Sequence, residues 1–168
     1  MTRPRVQSFP PIANRRATVL ILGSMPGAAS LAAKQYYAHP RNAFWPIMTT
    51  LLKLDKNASY AARVAALKAA RIAVWDVFAS CLRDGSLDSS IELGSHTVND
   101  FVSFFASHPH IERVFFNGAA ATQCFKREVM PVLNALDFDC RQLPSTSPAH
   151  ATLRFEKKLV AWRAVTAA

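Results

Sequence analysis

Cysteine is scarce in this 168-residue chain, and the three that occur, Cys81, Cys124 and Cys140, are widely spaced and form no CxxC pair. That excludes a disulfide framework, a zinc knuckle and a four-cysteine iron–sulfur cluster, so no metal or other cofactor is expected. There is also no run approaching the roughly 20 apolar residues that span a bilayer. The start, MTRPRVQSFPP, lacks the apolar stretch of a secretory signal. The expectation is a reduced, cytoplasmic protein with no membrane partner.

Several catalytic signatures are missing as well. Gly23 and Gly27 do not complete GxGxxG, and Lys34 does not sit in a phosphate-binding Gly-Lys-Ser/Thr loop. The HxE and PCxxC pair of zinc deaminases is absent. Ser24 lies outside any GxSxG elbow, which argues against an acyl-transfer hydrolase.

Acidic residues are the last shortage. Asp and Glu number 11 against 20 Lys and Arg, a formal charge of +9. A polyanionic partner is the natural consequence, although charge alone does not separate nucleic acid from an anionic membrane surface. What is plentiful is apolar: hydrophobic residues make up 51% of the chain and charged ones 18%. This is the composition of a folded globular protein. One domain over residues 1–168 is the economical reading, with Met1 to Arg16 an extended basic arm interrupted by Pro4, Pro10 and Pro11.

The order of elements follows from periodicity. Ala17 to Leu22 is apolar on both alternating sets, as in a strand covered on both faces. Phe44, Ile47, Met48, Leu51 and Leu52 share one face of a helix, with Pro46 in its first turn. Ser59 caps a second helix running to about Ala70. Arg71 to Phe78 reads as the second strand, and Ala79 to Ser95 as a long polar loop of the kind that often carries function. Thr97 and Asp100 suggest a capping box for a helix with Val98, Phe101, Val102 and Phe105 on one face. Glu112 to Asn117 is the third strand, followed by an alanine-rich helix from Gly118 to about Met130. Phe138 to Leu143 is the fourth strand. A final helix starts near Thr152, with Phe155, Leu159 and Trp162 inward and Lys158 among its wet residues.

Strands alternating with helices predict an α/β fold, a three-layer αβα sandwich around a mainly parallel four-stranded sheet. Ligands of such sheets bind beyond the carboxyl ends of the strands. Three unusual segments begin there: Gly23 to Trp45, Asn117 to Gly118, and Pro144 to His150. They are expected to converge on one cleft.

The residues of those segments also carry a resemblance. Gly23-Ser24-Met25-Pro26-Gly27, Gln35-Tyr36-Tyr37-Ala38-His39-Pro40-Arg41-Asn42-Ala43-Phe44-Trp45, Phe116-Asn117-Gly118 and Pro144-Ser145-Thr146-Ser147-Pro148-Ala149-His150 resemble the uracil-DNA glycosylase superfamily. Among its branches they are most similar to the hypoxanthine-DNA (deoxyinosine) glycosylases, family 6. The resemblance implies a monofunctional, cofactor-free DNA glycosylase, working as a monomer on double-stranded DNA that contains deaminated bases. Hypoxanthine is the implied target, with uracil as a second candidate. Such an enzyme rotates its target nucleotide out of the duplex, and basic residues supply sequence-independent affinity for the phosphates.

Roles follow by resemblance. Uracil-removing relatives hold the attacking water with Asp or Asn at the third motif position, where this chain has Met25, and another branch places Glu at the position of Ser24. The resemblance to family 6 implies that the role moves to Asn42, which can orient water but cannot act as a base; a plain cap on the following helix is the alternative reading. Asn117 is the implied reader of the base edge, or else a turn residue before Gly118. Gly23, Ser24, Met25, Gly27 and Tyr37 shape the pocket, with Gly27 standing where strict uracil enzymes carry a tyrosine. Phe44 is the candidate for stacking on the base, with Trp45 in the core; that both are core is the alternative reading. Ser145, Ser147, Pro148 and Arg41 are expected on the DNA, and His150 either steadies charge on the departing base or is an ordinary loop histidine. His39 is expected to position the Asn42 loop. A G:U or G:T mismatch glycosylase, and a non-catalytic nucleic-acid-binding protein on the same scaffold, remain the alternatives.

Overall fold

The computed structural model describes residues 2–134 and 137–168. Its centre is a four-stranded sheet formed by β2 (Val19–Gly23), β3 (Ile72–Asp76), β6 (Arg113–Asn117) and β7 (Asp139–Leu143), in the order β3-β2-β6-β7. Every pairing in it is parallel. β2 and β3 are buried at every position, because both faces of the sheet are covered.

Strand alternation divides the core in two. Leu20, Leu22, Ala73, Trp75, Val114 and Phe116 face α4 (Phe101–Ser107), whose Phe101, Phe104 and Phe105 form an aromatic cluster with Phe125. Val19, Ile21, Ile72, Val74 and Phe115 face Ile47 and Met48 of α2 (Phe44–Leu51), Leu67 of α3 (Tyr60–Ala69) and Trp162 of α6 (Phe155–Trp162). The αβα sandwich expected from the sequence is therefore present. Ser59 caps α3 as expected, its side chain accepting from the Ala62 N–H at 3.1 Å.

A second, antiparallel sheet was not expected. Its order is β1-β4-β5, from β1 (Arg5–Gln7), β4 (Phe78–Leu82) and β5 (Thr97–Val98). The predicted strand over Arg71 to Phe78 ends at Asp76: the Val77 and Phe78 N–H groups turn back to the Gly23 and Ser24 carbonyls at 2.8 and 3.0 Å. The chain then leaves the main sheet, and the first residues of the predicted loop become β4. The basic arm does lie on the domain, because β1 completes the open edge of β4. Thr97 accordingly belongs to β5, and Asp100 alone caps α4 by accepting from the Ser103 N–H at 3.0 Å.

Three smaller corrections concern helices. Val102 is 54% exposed, because α4 packs through Phe101, Phe104 and Phe105 instead. The alanine-rich helix is only α5 (Ala119–Cys124), followed by a wide π-type turn at Phe125–Val129 and a tight turn at Met130–Val132 containing Pro131. On α6 Phe155 is 38% exposed, whereas Lys158 is only 5% exposed and donates from Nζ to the His150 carbonyl at 2.7 Å.

Candidate active site

The carboxyl ends of β2, β3 and β6 form the floor of a cavity of about 280 Å³, a little below the roughly 300–1,000 Å³ usual for small-molecule sites. The register sets Asp76 beside Gly23, and Leu22 pairs with Phe116, so Asn117 flanks Gly23 on the other side. Alternation points these three positions to the α2 side of the sheet. The chain then crosses the cavity as α1 (Ala28–Ala33) and the turn before α2.

That turn is held from several directions. The His39 carbonyl accepts the Asn42 N–H at 2.9 Å, and His39 Nδ1 accepts the Arg41 N–H at 3.0 Å. His39 thus does position the Asn42 loop. The Ala43 N–H donates to the Thr146 carbonyl at 3.0 Å, which ties the turn to the segment after β7. Asn42 Oδ1 accepts the Phe44 N–H at 3.0 Å, an Asx-type bond from one residue outside the N-cap of α2, which is Ala43 and not Asn42 as the capping reading had it. Asn42 also lines the cavity, and its amide NH₂ has no protein partner among the described residues. Holding the turn and lining the cavity are compatible in one amide, which has two donor hydrogens and a second lone pair left over.

Opposite, the Asn117 amide is clamped to Thr146: Oδ1 accepts the Thr146 N–H at 2.9 Å and Nδ2 donates to the Thr146 hydroxyl at 2.9 Å. This pair fixes the orientation of Asn117 and brings Ser145, Thr146, Ser147 and Pro148 to the cavity wall. The Ser145 and Ser147 hydroxyls accept the Ser147 and Ala149 N–H groups, each at 3.2 Å, leaving both O–H groups as donors. Between them Gly118 adopts φ +94°, and a Cβ there would come within 3.0 Å of the Ser145 Cβ. Backbone of that kind costs a non-glycine residue about 1–3 kcal/mol. Gly118→Ala is accordingly expected to lower unfolding stability by that amount, read as a drop in the urea midpoint at unchanged slope.

The aromatic wall differs from expectation. Phe44 is 0% exposed, does not line the cavity and stacks on Tyr37 at a centroid distance of 4.1 Å; its ring has no open face for a base. Tyr37 is the lining aromatic, in left-handed backbone at φ +54°. Tyr36 lines the cavity too, but it is anchored by donating its hydroxyl to the Pro10 carbonyl at 2.9 Å. Trp45 is core, as expected, and donates to the Tyr36 carbonyl at 2.8 Å. Arg41 is exposed on its turn. His150 is exposed and sits in an adjoining depression shared with Ala119 and Ser147, outside the main cavity.

Gly23, Ser24, Met25 and Gly27 all line the cavity. The space beside Gly27 is not empty, since a Cβ there would meet the Ser86 side chain at 3.4 Å, an ordinary contact. Ser86 belongs to a wall that sequence reasoning missed, made of Ser86, Leu87 and Asp88 from the turn after β4. The Ala28 N–H donates to Ser86 Oγ and the Ser24 hydroxyl donates to Asp88 Oδ1, both at 2.8 Å. Beneath it Arg83 is almost fully buried and donates to the Pro26 carbonyl, with Nε and Nη1 unpartnered among the described residues.

Asp76 was missed too. It is only 3% exposed, it lines the cavity, and its Oδ2 has no hydrogen-bond partner among the described residues. Burial pushes its carboxyl up to about 7; the Asp88 carboxylate adds to the rise and the Arg83 guanidinium opposes it. Burial, then Asp76, pushes the Tyr37 hydroxyl far up, with the nearby Asn117 amide opposing. That hydroxyl also lacks a partner of good hydrogen-bond geometry among the described residues. Among the described residues no group of three or more His, Cys, Asp or Glu is placed to hold a metal ion, and no helix is long and apolar enough to cross a membrane.

A cavity at the strand ends of a parallel αβα sheet, walled by amides and tyrosines on a strongly basic chain, defines an α/β protein with a ligand site at the carboxyl edge of its sheet. The chain belongs to the uracil DNA glycosylase superfamily, whose family model matches residues 10–166. It is 34% identical over 145 residues to a hypoxanthine DNA glycosylase of Methanosarcina barkeri, covering 86% of this chain and 87% of that one. Similarity to a hypoxanthine DNA glycosylase of Methanosarcina acetivorans is also 34% identity, over 161 residues, with 95% and 96% covered. Among solved structures, the fold matches a solution NMR structure from Methanosarcina acetivorans, provisionally assigned as a uracil DNA glycosylase. The TM-score there is 0.77 at 28% identity, covering 98% of this chain and all of that one.

Proposed function

We propose that this chain is a monofunctional DNA glycosylase that excises hypoxanthine from double-stranded DNA, with uracil as a second substrate, and leaves an abasic site. The observation that carries the proposal is the meeting of Asn42, Tyr37 and Asn117 in one cavity at the strand ends; the resemblance adds that Met25 stands where uracil-removing relatives hold water. The similarity to two hypoxanthine DNA glycosylases supports the choice of base.

Breaking the N-glycosidic bond builds positive charge on the sugar and negative charge on the departing base. Asn42 contributes by holding the attacking water with its free amide hydrogens and remaining lone pair. The amide does not remove a proton: water bonds to the sugar carbon as the C–N bond breaks, and the proton that water gives up ends on the departing base. The nucleotide reaches the cavity by rotation out of the stack, and a mispaired or damaged base costs least to extrude. The excess of 20 Lys and Arg over 11 acidic residues supplies phosphate affinity, and Ser145, Ser147, Pro148 and Arg41 are the proposed contacts beside the cavity. His150 is proposed to approach the base only when DNA draws the loop inward. The protein is proposed to act as a monomer.

The test is an excision panel with purified protein on duplexes holding inosine, uracil or a G:T mismatch. Inosine is expected to be cleaved fastest, uracil more slowly and thymine not at all. Preference for G:U and G:T with inosine untouched would establish the mismatch enzyme instead. Binding without any excision would establish the non-catalytic reading.

A further inference from the structure

Two unpartnered polar atoms at one place on the cavity floor call for explanation, since buried polar groups are nearly always hydrogen-bonded. Asp76 Oδ2 and the Tyr37 hydroxyl are both enclosed and both without a partner among the described residues. They converge because residue 23 is glycine: a Cβ there would stand 2.5 Å from Asp76 Oδ1 and 3.0 Å from the Tyr37 hydroxyl. On the far side of Gly23 lies Asn117, at the end of β6. The floor thus carries the Asp76 carboxyl and the Asn117 amide at the ends of β3 and β6, on either side of Gly23, with the Tyr37 phenol reaching over Gly23 from the turn before α2. A partner that brings a donor for the carboxyl beside an acceptor for the phenol would satisfy it.

We infer that Asp76 is a specificity-determining residue that accepts a hydrogen bond from the ring N–H of the extruded base, with Tyr37 and Asn117 serving the neighbouring carbonyl. Deamination exchanges an exocyclic amine for a carbonyl and places a proton on the adjacent ring nitrogen. Hypoxanthine and uracil therefore present C=O beside N–H, whereas adenine and cytosine present NH₂ beside a bare acceptor nitrogen. An ionised carboxylate is an acceptor only. It pairs with the deaminated edge and leaves the normal one facing a second acceptor, the kind of mismatch that rejects a ligand most strongly.

Keeping that carboxylate charged is costly to the fold. The ionisable and charged groups facing Asp76 are Tyr37 and Tyr36 from the turn before α2, Asp88 from the turn after β4 and Arg83 at the end of β4. Burial and Asp88 outweigh Arg83, so the folded protein retains a proton that the unfolded chain gives up. Stability contributed by this group accordingly falls as pH rises from the ordinary carboxylate range through about 7. A group that destabilises the fold at neutral pH, placed in a cavity, is a mark of function.

This inference rests on the glycosylase reading, and the test separates the two. Single-turnover excision is measured from duplexes holding inosine or 1-methylinosine, in which the ring N–H is replaced by a methyl group. Wild type, Asp76→Ala and Asp76→Asn are compared. Wild type is expected to prefer inosine at least tenfold, and Asp76→Ala is expected to shrink that preference to threefold or less. Equal slowing of both substrates by Asp76→Ala, or no preference in wild type, overturns the inference while leaving the glycosylase intact. A wild type inactive on inosine and uracil alike overturns both. Should the alanine variant not fold, wild type alone decides: inosine excision is expected to fall on the acid side through about pH 7, and a flat profile from pH 5.5 to 8.5 overturns the inference. Asp76→Asn is expected to melt higher than wild type at pH 8 but not at pH 4, as burial of the carboxyl requires, and its excision of inosine is expected to lose the fall on the acid side because an amide does not titrate there.

Discussion

Asn42→Ala is expected to lower single-turnover excision of hypoxanthine at least tenfold, equivalent to about 1.4 kcal/mol of barrier, while binding to undamaged duplex stays within a factor of two. The distinction matters because Asn42 has two tasks. Its Oδ1 accepts the Phe44 N–H, the first of α2, at 3.0 Å, and loss of such a hydrogen bond costs about 0.5–1.5 kcal/mol of stability. Phe44 is fully buried against Tyr37, so a loosened turn would also disturb the cavity wall. Asn42→Ser is the control: its hydroxyl keeps an acceptor for the turn but lacks the NH₂ group. If water is held by the amide, the serine variant regains melting temperature and not activity. Recovery of both would reduce Asn42 to a helix cap, and an alanine variant within twofold of wild type would remove it from the reaction.

The parts of the site legible in the sequence were those set by local chemistry. Gly and Pro punctuation marked Gly23 to Trp45 as unsuited to a core, and the strand-end rule brought it together with Asn117 and the Pro144 to His150 segment. The structure closes that cleft with the Ala43–Thr146 and Asn117–Thr146 hydrogen bonds. Asp76 was hidden by a boundary error of two residues. With the strand extended to Phe78, an aspartate at the carboxyl end of a parallel strand read as an interior position. The same rule, applied to a strand ending at Asp76, would have placed it on the cavity floor. What separates the two readings is that Val77 and Phe78 hydrogen-bond the Gly23 and Ser24 carbonyls, a long-range fact with no local signal.

The second sheet was illegible for a related reason. β1 and β5 have three and two residues, too short for a period-two pattern, and they exist because β4 offers both its edges. Their consequence reaches the site, since β4 delivers Arg83 and the Ser86 to Asp88 wall. Phe44 was assigned to the base through its neighbour: Tyr37 precedes α2 and Phe44 opens it, and only packing shows that one covers the other. Lys158 shows tertiary context overriding a polar label, since its ammonium has the His150 carbonyl to serve.

Gly27→Tyr is expected to reduce hypoxanthine excision at least a hundredfold and uracil excision less than tenfold, turning a purine-admitting cavity into a pyrimidine one. Gly27 has φ −75°, a backbone any residue adopts, so the substitution acts through volume and not through strain. A methyl group fits there, because its nearest neighbours are Ser86 Oγ at 3.4 Å and Ser86 Cβ at 3.5 Å; Gly27→Ala should leave both rates within threefold. A phenol ring has no such room. It must enter the cavity or push aside the turn carrying Ser86, which is held by the Ala28 N–H at 2.8 Å. A cavity of about 280 Å³ that loses the volume of a phenol still leaves more for a six-membered ring than for a fused purine. Rejection of an oversized base by a filled wall is the repulsive half of specificity, and it acts independently of the hydrogen bonds that Asp76 and Asn117 offer. Equal loss on both bases would mean that the ring had collapsed the site. Unchanged excision of hypoxanthine would mean that the ring turns out to solvent, and that purine admission is set by the Ser86 to Asp88 wall.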